Sequence, residues 1–294
     1  MKKLSLYDNP PKFISNWVKK HPNYWMYPKD GSSKISLWDI TRSFTGIFRT
    51  FPDFIVIGVQ KGGTTSLYNY LIEHPDIYPA LHKEIHFFDR NYHRGLNWYR
   101  ANFPLSITKN IKKIQNKDFV TGEATPDYLL HDSVSQKIKE TIPSTKLIAV
   151  LRNPIDRAYS HYNMRVNTGD EKLSFEEAIK KEPERINKGG HDHVLFSYLH
   201  RGHYAQHLKN WLNLFSQKQL LVIETSQLEK NFQKTYDDVC SYLGISSFKL
   251  NFKKHHVGKY SNKLNPNTRK ELSEYFKPHN EKLYKLIGIN FDWD

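Results

Sequence analysis

The segment FIVIGVQKGGTTSLYNYL, starting at Phe54, constrains this chain more than any other: an apolar run, then glycines, then Leu67, Tyr70 and Leu71 at helical spacing. It reads as buried strand, tight turn and helix. Backbone N–H groups at such a turn, with the helix N-terminus behind them, make an anion site. In the nucleotide-triphosphatase form, G-x-x-x-x-G-K-[ST], the lysine and hydroxyl serve outer phosphates and Mg²⁺. Here Gly58 and Gly63 keep the spacing and Thr65 keeps the hydroxyl, but Thr64 replaces the lysine and Lys61 stands earlier. A charge inside the turn suits a short anionic group that needs no metal bridge. The plain alternative is a glycine turn that only joins strand to helix; the Gly62-Gly63 pair, the hydroxyls of Thr64, Thr65 and Ser66, and Lys61 weigh against it.

The same alternation recurs. FVTGEA precedes a helix from about Ser133, KLIAVLR one from Pro154, and QLLVIET one from about Gln227. Near-continuous apolar strands between helices predict a parallel sheet covered on both faces. The expected fold is α/β: a P-loop-type three-layer sandwich with a central parallel β-sheet flanked by helices. An amphipathic stretch from about His193 to Phe215 predicts a further covering helix, and Asn265-Pro266 reads as N-cap and first-turn proline of a helix running toward Phe276. Residues 1–50 hold scattered Trp, Tyr and Pro without periodicity and read as an irregular arm packed on one domain, residues 51–294. The 14% aromatic content excludes a coiled coil or a disordered chain.

The formal net charge of +14 favours anionic partners. The basic stretch Lys249 to Lys263 lacks the regular aromatics or recognition helix of a nucleic-acid site, so no nucleic-acid partner is expected. Cys240 is the single cysteine and lies in an apolar pattern, which fits a buried thiol and a reducing compartment. No stretch approaches the ~20 apolar residues that span a bilayer; the expectation is a cytoplasmic protein without integral membrane association, or one of the secretory-pathway lumen if the chain is a trimmed form. Fifteen histidines include the pairs His191/His193 and His203/His207 at ligand-like spacing, but no third ligand can be placed, so no metal is expected.

Arg152 follows an apolar strand at the end where α/β crevices form, and Ser160 lies about two helical turns further on. A guanidinium and a hydroxyl so placed can share one phosphate; an ordinary strand-to-helix junction with Asp156 and Arg157 solvated is the alternative. Glu84 and His86, two residues apart, point to one face if their segment is extended, and either can take a proton. The bland reading pairs Glu84 with Lys83 at the surface and lets His86 support Phe87 and Phe88.

Together these residues resemble the sulfotransferases that use 3′-phosphoadenosine 5′-phosphosulfate (PAPS). VQKGGTTSLYNYL is similar to the 5′-phosphosulfate loop of the branch containing the heparan sulfate (glycan) enzymes and their bacterial relatives, KLIAVLRNPIDRAYSHY to the 3′-phosphate motif, and HKEIHFFDRNYHRGLNWY to the segment carrying that branch's general base. The resemblance runs from about Asp53 to the C-terminus. It implies PAPS as sulfuryl donor and adenosine 3′,5′-bisphosphate as product, bound by Lys61, Gly62, Gly63, Thr64, Thr65, Ser66, Arg152 and Ser160. Glu84 becomes the base, His86 its orienter or substitute, and Lys61 a second catalytic group. The acceptor is a hydroxyl or amine on a small molecule or glycan. Two departures stand out: GEATPDY places Ala124 beside Glu123 where many glycan enzymes have lysine, and the late loop HHVGKYSNK keeps Gly258 and Lys259 as cofactor contacts without a disulfide. Arg201 is either a cofactor or acceptor contact or a solvated helix-start arginine. A P-loop nucleotide kinase and a noncatalytic polyanion-binding module remain as alternatives.

Overall fold

The computed structural model describes residues 42–250 and 263–293, excepting the side chains of residues 190–192. Gly258, Lys259 and most of the arm therefore lie outside the described residues. Five strands, β1 (Phe54–Gly58), β2 (Ile77–Pro79), β3 (Val120–Ala124), β4 (Lys146–Leu151) and β5 (Leu220–Glu224), form one sheet in the order β2-β3-β1-β4-β5. Every pairing is parallel. Four strands are the apolar runs of the sequence. β2 is the one that patterning missed: it has three residues and ends in Pro79, which a strand tolerates at a sheet edge because only one side of the ladder needs donors.

β1 is buried along its whole length, and its side chains alternate between two cores. Ile55 and Ile57 join Leu147, Ala149, Val134, Leu208, Trp211 and Leu283 on one face. Phe54 and Val56 join Ile148, Val150, Leu67, Tyr70, Tyr236 and Cys240 on the other. Helices Asp132–Thr141, Tyr204–Leu212 and Pro266–Ile287 cover the first face, and Thr64–Ile72 with Phe232–Leu243 the second. The result is the three-layer sandwich expected, with every strand directing its carboxyl end to the same side.

Two local expectations change. The stretch from His193 to Phe215 is not one helix: Gly190–Phe196 ends, a 3-10 turn spans His200–Gly202, and a new helix covers Tyr204–Leu212. Amphipathic spacing survives the break, but the ladder does not, because the amides of Leu199 and His200 donate to the buried Glu182 carboxylate, both at 2.7 Å. Gly202 packs so closely on Phe276 that a Cβ would come within 2.8 Å of the ring. The helix opened by Asn265 runs well beyond Phe276, to Ile287, with the Asn265 side chain accepting from the Asn267 amide at 2.9 Å.

The helix Pro154–Thr168 is capped by Asn153, whose Oδ1 accepts from the amides of Ile155 and Asp156 at 3.0 and 3.4 Å. Asn153→Ala should lower unfolding free energy by about 1 kcal/mol, the usual worth of an N-cap. Chemical denaturation checks this, and an unchanged midpoint would mean that the proline at the first helical position suffices.

Candidate active site

Three motifs meet where β3, β1 and β4, adjacent in the sheet, reach their carboxyl ends. After β1 the chain turns through Val59–Gly63 into the helix Thr64–Ile72. Lys61 and Gly63 both adopt left-handed backbone, φ 68° and 94°. Gly62 admits no side chain, since a Cβ would stand 2.3 Å from the Val150 carbonyl oxygen. The turn is pinned from three directions. The Val59 amide donates to Val150 at 3.0 Å, the Gly62 amide to Val59 at 2.9 Å, and the Thr225 hydroxyl lies 2.6 and 2.7 Å from the carbonyls of Gly62 and Leu151. The first intrahelical bond is Leu67 to Gly63, 3.0 Å, so the amides of Thr64, Thr65 and Ser66 precede the ladder and face the turn.

Arg152 follows β4 directly, and its Nη1 approaches the Lys61 carbonyl at 3.4 Å, joining the first motif to the second. Burial lowers the Lys61 pKa, and the cations of Arg152, Arg165 and Arg157 lower it further. Among the described residues neither Lys61 nor Arg152 forms an ion pair. Surplus cations at the start of a helix fit a polyanion such as a phosphosulfate and its companion phosphate. Ser160 lies on the helix Pro154–Thr168 and is 2% exposed, so its hydroxyl is enclosed by the protein. Arg157 is wholly buried with a bond to the Tyr198 carbonyl, which removes the reading of it as solvated.

The third motif follows β2. Glu84 and His86 do not sit on extended backbone: both are left-handed, with φ 59° and 50°. Their side chains still meet, because the intervening turn folds them together, with His86 Nε2 3.9 Å from a Glu84 carboxylate oxygen. The Glu84 amide donates to the Ala124 carbonyl at 3.0 Å, docking this segment on the end of β3. Lys83 Nζ is 2.6 Å from Glu84, as the bland reading held, yet 35% of the Glu84 side chain remains exposed. Burial would raise the Glu84 pKa, but hydrogen bonding to His86 and the Lys83 charge outweigh it and hold the carboxyl below its ordinary value.

His86 is 3% exposed, and its Nδ1 is 2.7 Å from Asp89. Burial opposes the imidazolium, but the bonds to Asp89 and Glu84 prevail and raise its pKa to about 9. The raised pKa favours the imidazolium at neutral pH, a form that donates and does not accept a proton. Asp89, three residues on, was not singled out from the sequence, although FFD in the quoted motif contains it. Asp127 was also missed. It is buried between Arg201, 2.7 Å, and Arg90, 2.9 Å, with Arg201 the stronger cause of a carboxyl held far below its usual range despite burial.

Arg201 is therefore neither solvated nor exposed to a ligand: at 4% exposure it bonds Asp127, Ser197 and the Val194 carbonyl. His86, Asp89 and Asp127 place one potential metal-ligand atom each within 4.8 Å of one another, the one such trio among the described residues. Asp127 is bonded to Arg201 and Arg90 and Asp89 Oδ2 to His86, while Asp89 Oδ1 is buried without a hydrogen-bond partner among the described residues. His203 stacks on His279 at 4.0 Å, and His207 bonds the His200 carbonyl.

The comparisons with known proteins agree with this geometry. Residues 51–280 match the family described as sulfotransferase domain. The chain is 31% identical over 270 residues to heparan sulfate glucosamine 3-O-sulfotransferase 3B1 of Mus musculus, an alignment covering 84% of this chain and 66% of that protein. It is 31% identical over 312 residues to bifunctional heparan sulfate N-deacetylase/N-sulfotransferase 3 of Homo sapiens, covering 94% of this chain and 34% of that one. It thus spans just under two thirds of the first relative and a third of the second. The crystal structure of a sulfotransferase from Alicyclobacillus acidocaldarius superposes with a TM-score of 0.66 at 31% identity, covering 83% of this chain and 99% of that one. The chain belongs to the sulfotransferase family, near the heparan sulfate sulfotransferases, and the family's donor is PAPS. The match favours neither the kinase nor the polyanion module.

The His86 shift has a measurable sign. A folded pKa raised above that of the unfolded chain gives stability that is complete below about 6.5 and lost as pH rises through about 9. An imidazole NMR titration should show one histidine holding its proton at pH 8, and Asp89→Asn should bring that transition down toward the ordinary range.

Proposed function

We propose that this protein transfers a sulfuryl group from PAPS to a hydroxyl or amine of a glycan, with Glu84 as general base. The observation that carries the reading is the placement of Lys61, Arg152 and Glu84 at the carboxyl ends of three adjacent parallel strands, where α/β ligands bind. The glycan acceptor is supported by the relatives' substrates and by the net charge of +14, which draws an anionic saccharide. Among the described residues no helix is long and apolar enough to cross a membrane. A cytoplasmic setting is supported by the lone Cys240, which is buried and has no second cysteine to join.

The bound donor supplies an activated sulfur. Lys61 and the amides of Thr64, Thr65 and Ser66 would hold its 5′-phosphosulfate, while Arg152, with Ser160 behind it, would hold the 3′-phosphate. Glu84 accepts the acceptor's proton as the acceptor oxygen or nitrogen bonds to sulfur and the bond from sulfur to the 5′-phosphate oxygen breaks. Lys61 neutralises the charge that grows on the departing phosphate. His86, fixed by Asp89, holds the Glu84 carboxylate ionised and aimed.

Glu84→Gln should lower kcat by ~10²–10⁴-fold, the range for a lost general base, and leave adenosine 3′,5′-bisphosphate affinity intact by calorimetry. Lys61→Ala should lower kcat and weaken donor binding together. Failure of the wild-type protein to bind the bisphosphate, or full turnover in Glu84→Gln, would overturn the assignment.

A further inference from the structure

One buried carboxylate has no part in the scheme above. Glu123 lies on β3 with its side chain wholly enclosed, paired in register with Ile55 of the central strand. Burying a carboxyl is costly unless its oxygens are bonded, and an apolar residue of similar volume would fill the space at less cost. The oxygens of Glu123 are fully engaged. Oε1 accepts from the Tyr99 hydroxyl at 2.6 Å and lies 3.5 Å from the Tyr128 hydroxyl, while Oε2 accepts from Thr125 at 2.8 Å.

Both tyrosines lead to the turn that carries Glu84. The Tyr128 oxygen accepts from the amides of Phe87 and Phe88, at 2.9 and 3.4 Å, so its own proton is left to point at Glu123. The Tyr99 ring stacks on Phe87, with centroids 4.5 Å apart and planes 14° apart, and meets Phe88 edge-on at 5.0 Å. Phe87 directly follows His86. The left-handed backbone of Glu84 and His86 is unfavourable for side-chain-bearing residues and persists only where the surroundings over-determine it. The Glu84 amide bond to Ala124 fixes one end of the turn, and the amides held by Tyr128 fix the other.

We propose that Glu123 is a positioning residue for sulfuryl transfer: through Tyr99 and Tyr128 it locks the turn that aims Glu84. The inference rests on Glu84 as base. Glu123 is wholly enclosed; a glutamine oxygen in place of Oε1 still accepts from Tyr99 and Tyr128, and its amide nitrogen in place of Oε2 donates to the Thr125 hydroxyl, which can reverse its bond. The lock therefore needs the two side-chain heteroatoms and not the charge, and glutamine should replace the carboxyl.

The test compares Glu123→Gln, Glu123→Leu and Tyr128→Phe in the full chain, measuring kcat, KM for PAPS and calorimetric affinity for adenosine 3′,5′-bisphosphate, with Glu84→Gln in parallel. Misplacement of a base should lower kcat on the order of 10- to 100-fold in Glu123→Leu and Tyr128→Phe. KM for PAPS and bisphosphate affinity should stay within about twofold, because only transition-state interactions are lost, and Glu123→Gln should recover kcat to within about threefold of wild type. Loss of bisphosphate affinity in step with kcat, a Glu123→Gln variant as impaired as Glu123→Leu, or undiminished kcat in Tyr128→Phe would each overturn the proposal. If Glu123→Leu does not fold, Tyr128→Phe, which deletes one hydroxyl, decides alone. Full turnover in Glu84→Gln would defeat the base assignment, whereas its loss with normal kcat in Tyr128→Phe defeats only the role of Glu123.

Discussion

The pairing of β1 with β3 on one side and β4 on the other is the constraint on which the rest depends. Parallel pairing sends the three chains out of the sheet at the same edge, so the turn after β1, the segment docked on β3 and the arginine after β4 become neighbours although 91 residues separate Lys61 from Arg152. Side chains in the two cores set that register. A slip of one residue would exchange Ile55 and Ile57 for Phe54 and Val56 and put each set into the wrong layer.

Charge in this cleft is sorted into two zones. Around the glycine turn, burial and the cations of Arg152, Arg165 and Arg157 lower the Lys61 pKa, and no carboxylate of the described residues pairs with Lys61 or Arg152. Around the turn after β2 three carboxylates have cations: Glu84 has Lys83 and His86, Asp89 has His86, and Asp127 has Arg201 and Arg90. A site with one unbalanced zone beside one balanced zone attracts a polyanion to the first and holds a proton acceptor rigid in the second. Removing Arg201 would leave Asp127 buried with only half of its compensation, which is more damaging than the loss of a surface pair.

Particular residues show how far the sequence could be read. The turn at Gly58 to Ser66 and the helix from Pro154 were legible because each is coded locally, by glycines in one case and a proline with its cap in the other. The break inside the stretch from His193 to Phe215 was not, since hydrophobic period reports which face is apolar and Glu182, which diverts the amides, comes from another helix. Arg201 read equally as a ligand contact or a solvated arginine because its partner Asp127 is distant in the chain.

By itself the sequence determined the α/β class, four of the five strands with the helices that follow three of them, the glycine turn with its displaced lysine, and the likeness to the sulfotransferase family. These are properties of short windows, where backbone freedom and side-chain period act within a few residues. Tertiary structure alone decided that Glu84 and His86 meet on a left-handed turn, that Asp89 raises the His86 pKa, and that Glu123 stands behind them in a cage of hydroxyls. Burial and long-range partners set a pKa and over-determine a strained backbone, and both arise only when β3 and the segment after β2 are brought together.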